Sequence, residues 1–179
     1  NDAELVGLSF SVKPGKAWYI PCPANESATK KILALFQPLF DDASKVWIGQ
    51  NTKYDLLVLK WYGIALTGDV FDTMLAHYVI EPDGKHNMDE VSSKYLGYEP
   101  IPIEELIGKK GKSQGNMRDV ELEKISEYAA EDADITLQLH QAMYPVVKND
   151  SKLNYIYKQI EMPCREVLFT IERNGVLID

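Results

Sequence analysis

Two acidic residues stand in sequence surroundings that suit metal-dependent chemistry. Asp55 ends the segment Gly-Gln-Asn-Thr-Lys-Tyr-Asp at 49–55, and Asp132 follows Tyr128 in the segment Tyr-Ala-Ala-Glu-Asp-Ala-Asp at 128–134. Carboxylate oxygens are ligands that Mg²⁺ and Mn²⁺ prefer. A pair of such ions can activate water and stabilise both oxygens of a phosphodiester during hydrolysis. That chemistry usually needs several convergent carboxylates, and these residues supply two.

Helical spacing separates Asp132 from its acidic neighbours. Tyr128 and Asp132 are four residues apart and share one helix face. Glu131 is turned by about 100° and Asp134 by about 200° from Asp132. We therefore predict that Tyr128 and Asp132 act together, whereas Glu131 and Asp134 form a solvated acidic turn. For Asp55 the alternative is a surface acid that complements a helix dipole, but a loop after a buried strand favours ligand binding.

Strand and helix patterns alternate in the first half of the sequence, which favours an α/β layer architecture. The patterns predict a β-hairpin over 4–20, strands over 45–49 and 64–70, and helices over 32–40, 54–62 and 72–80. Further helices are predicted over 88–96, over about 120–147 with a break near Ser126, and over about 153–173. These elements place Asp55 in the first turn of a helix that follows a strand.

Composition limits the class of protein. The 179 residues are 45% hydrophobic and 26% charged, which suits one domain with one good core. The net charge of −8 argues against a general polyanion-binding surface, so any nucleic acid should bind locally through metal ions. No apolar run is long enough to cross a bilayer and the start does not read as a signal peptide, so we expect a soluble cytoplasmic protein without membrane partners.

Several motifs resemble one enzyme family in the same order along nearly the whole chain. The family is the proofreading domain of bacterial DNA polymerase I, a 3'-5' exonuclease of the DEDDy class. The matching segments are Leu5–Phe10, Tyr19–Pro21, Gly49–Asp55, Phe71–Leu75, Tyr128–His140 and Ile160–Val176.

The resemblance implies an RNase H-like mixed sheet flanked by helices and two divalent metal ions, Mg²⁺ or Mn²⁺, held by four acids. Asp55 matches the second acidic motif and Asp132 the third, so both are expected metal ligands. Tyr128 matches the tyrosine that orients the attacking water. The implied partners are the single-stranded 3' end of DNA and a polymerase domain of the same parent chain, in a bacterial cytoplasm near the nucleoid.

Candidate DNA contacts follow from the need to accept any 3' terminus, which favours ring stacking and backbone contacts over base readout. The candidates are Asn51, Tyr54, Lys85 and Met88. The alternatives are a loop amide for Asn51, a tyrosine at the edge of the core for Tyr54, and a solvated loop for the others.

The first acidic motif of the family, an Asp-x-Glu pair on a strand before Leu5–Phe10, has no match. Asp2 and Glu4 have the same spacing, but no apolar strand leads into them. We therefore expect a fragment that lacks its first strand, with the exonuclease domain at 1–150 and a helix leading into the polymerase domain at 151–179. Such a fragment should bind the metal ions poorly and be inactive or nearly so.

Two other functions are compatible with this fold. One is a catalytically inert DNA-binding or scaffold module of the polymerase, against which Asp55, Tyr128 and Asp132 argue. The other is a separate RNA-trimming exonuclease, against which the C-terminal segment Ile160–Val176 argues because it resembles the junction into a polymerase.

A sheet without its first strand exposes unpaired backbone donors and acceptors along an edge. We therefore predict that the isolated chain forms an edge-paired dimer as its concentration rises. Light scattering across a concentration series measures the mass directly. A monomer mass at every concentration would contradict the prediction.

Overall fold

Residues 4–175 and 177, the part of the chain that the computed structural model describes, contain helices and two pairs of strands. The strands are β1 (Gly7–Lys13), β2 (Lys16–Pro21), β3 (Val46–Gly49) and β4 (Asp69–Asp72). The α-helices are α1 (Glu26–Leu35), α2 (Gln37–Phe40), α3 (Thr52–Trp61), α4 (Thr73–Ile80), α5 (Met88–Leu96), α6 (Ile103–Ile107), α7 (Leu122–Asn149), α8 (Ser151–Ile156) and α9 (Met162–Asn174). A 3₁₀ turn covers Met117–Asp119, and a π-helical turn, Tyr157–Glu161, joins α8 to α9.

The strands form two separate pairs. β1 and β2 make the predicted antiparallel hairpin, in which Gly7 is opposite Pro21 and Phe10 is opposite Trp18. β3 and β4 are parallel, with Gly49 opposite Asp72. The prediction of one mixed sheet is therefore wrong for the described residues, in which no ladder joins the two pairs. Packing holds them together instead, because α7 contacts β1, β2 and β3.

The strand predicted over 64–70 is displaced toward the C-terminus. Ile64 is buried in the core without strand geometry, and β4 begins only at Asp69. Gly68 explains why β4 starts later than predicted. Its φ is +99°, and a β-carbon there would lie 2.3 Å from the carbonyl oxygen of Lys45. Only glycine fits this close approach in a left-handed conformation.

Two apolar clusters form the core. One lies between α4, α5 and α7 and includes Ala76, Val91, Leu139 and Met143, all of which are fully buried. The other lies beneath the hairpin and α1–α3, and its members are Leu5, Cys22, Leu33, Phe40, Val58, Leu59 and Ile64. α7 contributes Ile135, Leu139, Met143 and Val147 at four-residue intervals, the spacing of one helix face.

Several predicted helix boundaries are confirmed, and three features differ. The helix predicted over 88–96 is found as α5, which Asn87 caps through its side chain and Gly97 ends in a left-handed conformation. α7 runs without the predicted break near Ser126, α6 was not predicted, and the predicted C-terminal helix is interrupted by the π-helical turn. Among the described residues, no helix combines the length and the apolar character needed to span a membrane.

Leu139 should contribute strongly to stability because its side chain is fully buried between α4 and α7. We predict that Leu139→Ala lowers the free energy of unfolding by about 2–5 kcal/mol, since it leaves a cavity. Leu122→Ala, on the exposed start of the same helix, is the matched control and should change it by no more than about 0.5 kcal/mol. Urea denaturation followed by circular dichroism measures both, and equal effects would contradict this view of the core.

Candidate active site

The parallel strands β3 and β4 position the first candidate acid. β3 ends at Gly49, two loop residues follow, and α3 starts at Thr52 with Asp55 in its first turn. A β-carbon on Gly49 would lie 2.6 Å from Cγ2 of Thr52 and 3.8 Å from Oδ2 of Asp55, so glycine permits the close approach of strand and helix. Asn51 adopts the left-handed φ of +61°, which turns the chain into α3. Asp55 therefore lies beyond the carboxyl end of the strand pair, where open α/β sheets bind ligands.

The Asp55 carboxyl group has a raised pKa, and no described cation offsets that rise. Its pKa is raised to about 7, first by desolvation and then by the negative charge of Asp72. No cation of the described residues contributes to the shift. Asp55 keeps an exposed surface, which is compatible with desolvation because water reaches its edge while protein fills most of the surrounding volume. Such a carboxylate favours a bound proton or a bound cation.

Tyr128 and Asp132 occupy neighbouring turns of α7 and influence each other directly. Burial raises the pKa of Asp132 to about 6, the hydrogen-bonding interaction with Tyr128 opposes that rise, and the charges of Glu131 and Asp89 add to it. Burial, followed by the charge of Asp132, raises the pKa of Tyr128. The phenol therefore stays protonated near neutral pH. The structure thus contains a hydroxyl donor beside a half-buried carboxylate, on the face that the spacing predicts.

Glu131 and Asp134 do not form the predicted solvated acidic turn. Glu131 accepts hydrogen bonds from the Tyr98 hydroxyl at 2.6 Å and from the backbone N–H of Ile101 at 2.8 Å. Asp134 accepts one from the backbone N–H of Gly15 at 2.8 Å. Both acids therefore tie α7 to distant segments, and those partners leave no trace in helical periodicity.

The candidate DNA contacts lie in two places. Asn51 and Tyr54 are exposed beside Asp55, and Tyr54 is 58% exposed. Lys85 is exposed and pairs with Glu90 at 2.9 Å. Met88 is half-buried and packs against the core between α5 and α7, with its sulfur 4.0 Å from Oγ1 of Thr136. Met88 therefore has a packing role that its loop-end position did not indicate.

Sequence reasoning missed Asp72, the most constrained acid near the site. Its side chain is 1% exposed. It accepts hydrogen bonds from the backbone N–H groups of Asn51, Thr52, Met74 and Leu75 and from the Thr52 hydroxyl. The available signal was an Asp at the N-cap position of α4, directly before a helical run. Asp72 joins the starts of α3 and α4 and so fixes the turn that carries Asp55.

A divalent cation fits the donor type at Asp55 and at Asp132, because both present carboxylate oxygens and no described cation lowers the pKa of either acid. Within 4–175 and 177, however, no group of three or more His, Cys, Asp or Glu side chains is arranged to hold a metal ion. Glu4 pairs with Arg118 at 2.8 Å, and Asp2 lies outside the described residues. Asp55 and Asp132 are therefore the candidate ligands, and they do not by themselves make a two-ion cluster.

A family profile described as 3'-5' exonuclease matches residues 1–148. This chain belongs to the 3'-5' exonuclease family. Two curated relatives, both DNA polymerase I, come from Pseudomonas aeruginosa, with 40% identity over 188 residues, and Borreliella burgdorferi, with 36% identity over 180 residues. The match covers 100% and 99% of this chain but only 20% and 19% of those proteins, so the chain spans about a fifth of their length. The family predicted from the motifs is confirmed.

Solved structures share the fold of this exonuclease family member. The POL domain of Pol1 from M. smegmatis, in complex with DNA primer-template and dNTP, superposes with a TM-score of 0.68 at 19% identity, covering 92% of this chain and 25% of that one. Brucella melitensis NrnC superposes with a TM-score of 0.62 at 20% identity, covering 87% of this chain and 68% of that one. Both likenesses establish the mixed α/β fold alone.

Because the pKa of Asp55 is raised, we predict that replacing Asp55 with asparagine, its neutral isostere, increases the stability of the fold in a pH-dependent way. Because the pKa rises from 3.8 to about 7 on folding, the folded state retains the proton while the unfolded state loses it. Stability therefore falls between those two pH values. We predict that Asp55→Asn raises Tm above pH 7 in EDTA, with the gain shrinking to nothing near pH 4. Thermal melts across this range test it against Asp83→Asn, in an exposed loop; a gain independent of pH would refute the assignment.

Proposed function

We propose that this chain is the proofreading domain of a bacterial DNA polymerase I and that, as part of the full-length protein, it takes part in removing nucleotides from the single-stranded 3' end of DNA. The observation that carries the proposal is a pair of acids with raised pKa values and no neutralising cation among the described residues, Asp55 and Asp132, on two different elements of a 3'-5' exonuclease family member. Relatives named DNA polymerase I support the choice of parent protein. In this reading residues 1–150 form the nuclease domain and 151–179 lead into the polymerase domain.

Each catalytic candidate has a role that its surroundings support. Asp55 and Asp132 would hold Mg²⁺ or Mn²⁺ through carboxylate oxygens. Bound divalent ions would supply activation of water and charge stabilisation at the scissile phosphate. Tyr128 keeps its phenolic proton because its pKa is raised, so it can donate a hydrogen bond to the attacking water. Its place next to Asp132 puts that donor beside a candidate ligand.

Recognition of the DNA strand is proposed to depend on a few local contacts. The exposed ring of Tyr54 is available for stacking on a base. The Asn51 side chain makes no capping hydrogen bond to α3, so its amide is available to the strand. Lys85 can approach a phosphate only in competition with Glu90, and Met88 can offer only the part of its side chain that remains outside the core. With a net charge of −8, metal ions rather than a basic surface would offset repulsion of the phosphates.

An inert DNA-binding module is the second candidate. It is favoured by the absence, within the described residues, of a three-ligand metal cluster. A module of this kind would retain DNA contacts such as Tyr54 without hydrolysing the strand.

Substitution of Asp132 separates these functions. In the full-length protein with Mg²⁺, we predict that Asp132→Ala slows degradation of a mismatched 3' end by at least about a hundredfold, because loss of even the groups behind a metal ligand costs about 10–100-fold. Primer extension on a matched end should not change. Gel analysis of end-labelled primers gives both rates from one preparation.

The matched control is Asp83→Ala, which removes an acid from an exposed loop and should leave both rates unchanged. Equal degradation by the wild type and Asp132→Ala would refute the site assignment. A wild-type protein that binds the 3' end but never shortens it would favour the inert module.

A further inference from the structure

The segment after α7 reaches back to the turn that carries Asp55. This segment includes α8, the π-helical turn and α9, and it lies beyond residues 1–148, the part that matches the exonuclease family. Yet α9 packs against α3. Three of its side chains contact residues around the start of α3, and these are Tyr157, Arg165 and Glu172.

Arg165 holds Thr52 at the start of α3. The guanidinium is 7% exposed and its Nη1 donates to the Thr52 hydroxyl at 2.8 Å. Because a guanidinium can only donate, the hydroxyl must accept from Arg165 and give its single hydrogen to Asp72, whose Oδ2 lies 2.7 Å away. Arg165 therefore determines which way the Thr52 hydroxyl points.

Tyr157 holds the backbone of Asp72. Its side chain is 3% exposed, and its hydroxyl accepts from the Asp72 N–H at 2.7 Å and donates to the Asp72 carbonyl oxygen at 3.2 Å. The ring packs against Phe71 with a centroid separation of 5.0 Å. The last residue of β4 is thus fixed from the C-terminal segment through both of its backbone polar groups.

These contacts converge on the geometry of Asp55. Asp72, fixed by Tyr157, binds the backbone N–H groups of Asn51 and Thr52, and Thr52 is fixed again by Arg165. Asp55 lies less than one helical turn farther along α3. Lys53 adds a surface ion pair with Glu172. The start of α3 therefore cannot shift relative to β4 without breaking contacts to the C-terminal segment.

We propose that Tyr157 and Arg165 are positioning residues for the Asp55 carboxylate, acting through Asp72 and Thr52, and that the segment after α7 is a working part of the nuclease site. The proposal rests on the proposed function for its catalytic consequence. Both side chains are buried, and they contact Asp72 and Thr52. They set the position of the Asp55 carboxylate before a cation and a 3' end bind.

The test compares variants of the full-length protein that remove the hydrogen bonds with matched variants in the same segment. Tyr157→Phe deletes one hydroxyl and keeps the ring on Phe71, whereas Arg165→Leu deletes the guanidinium and Arg165→Lys retains a donor.

The controls are Tyr155→Phe, a tyrosine that is 62% exposed, and Arg173→Leu at the exposed end of α9. The readouts are kcat and KM on single-stranded DNA, Mn²⁺ affinity by electron paramagnetic resonance, and hydrogen exchange across 50–58.

We expect Tyr157→Phe and Arg165→Leu to lower kcat by about tenfold, the scale of losses when groups behind a metal ligand are removed. KM should stay within about twofold, because a positioning group leaves DNA contacts in place. Mn²⁺ affinity should fall in parallel, exchange should accelerate in the first turn of α3 alone, and Arg165→Lys should recover part of each loss. Tyr155→Phe and Arg173→Leu should match the wild type.

Unchanged exchange at the start of α3 and unchanged Mn²⁺ affinity in folded Tyr157→Phe and Arg165→Leu would overturn the proposal. Exchange that accelerates equally throughout the domain would also overturn it, since that pattern marks general destabilisation. If the wild type degrades no DNA, the proposed function fails separately, and local exchange in Tyr157→Phe still decides whether these residues hold α3.

Discussion

The buried carboxylate of Asp72 is the interaction on which the rest of the site depends. A charge removed from water is costly unless hydrogen bonds replace its hydration. Asp72 is 1% exposed and accepts from four backbone N–H groups and one hydroxyl, which come from the starts of α3 and α4. Loss of any donor would leave part of a buried charge unpaired and would lower stability. The carboxylate thereby joins the starts of α3 and α4 into one corner.

Three aspartates in this chain show how surroundings assign different roles to one side chain. Asp72 is surrounded by donors, whereas Asp55 meets desolvation and the charge of Asp72 itself. Asp132 also meets desolvation, moderated by one phenol. Because the described protein offers Asp55 and Asp132 no cation, their counter-charge must come from protons or ions in solution. The negative charge of Asp72, which joins the starts of α3 and α4, therefore also favours binding of a cation at Asp55.

Local patterns predicted much of the fold and the two acidic faces, but not the contacts between them. The Tyr128 and Asp132 pairing follows from four-residue spacing, and the place of Asp55 follows from a strand, a loop and a helix in succession. The role of Asp134 depends on Gly15, 119 residues away, and that of Asp72 on Tyr157, 85 residues away. No local periodicity carries such information. Separation into two strand pairs was likewise not predictable, because ladder partners are chosen by packing across the whole chain.

The π-helical turn Tyr157–Glu161 explains how one helical segment can present both Tyr157 and Arg165 to the same corner. In a regular α-helix, residues eight apart differ by about 80° around the axis. A π turn takes in about one additional residue, which brings the pair within about 20° of a common face. The alignment of Tyr157 and Arg165 therefore survives the loss of one residue from this turn but not the gain of one. Loss of one residue would restore a regular helix with the pair still aligned, whereas gain of one would rotate α9 by about 100° and carry Arg165 away from Thr52.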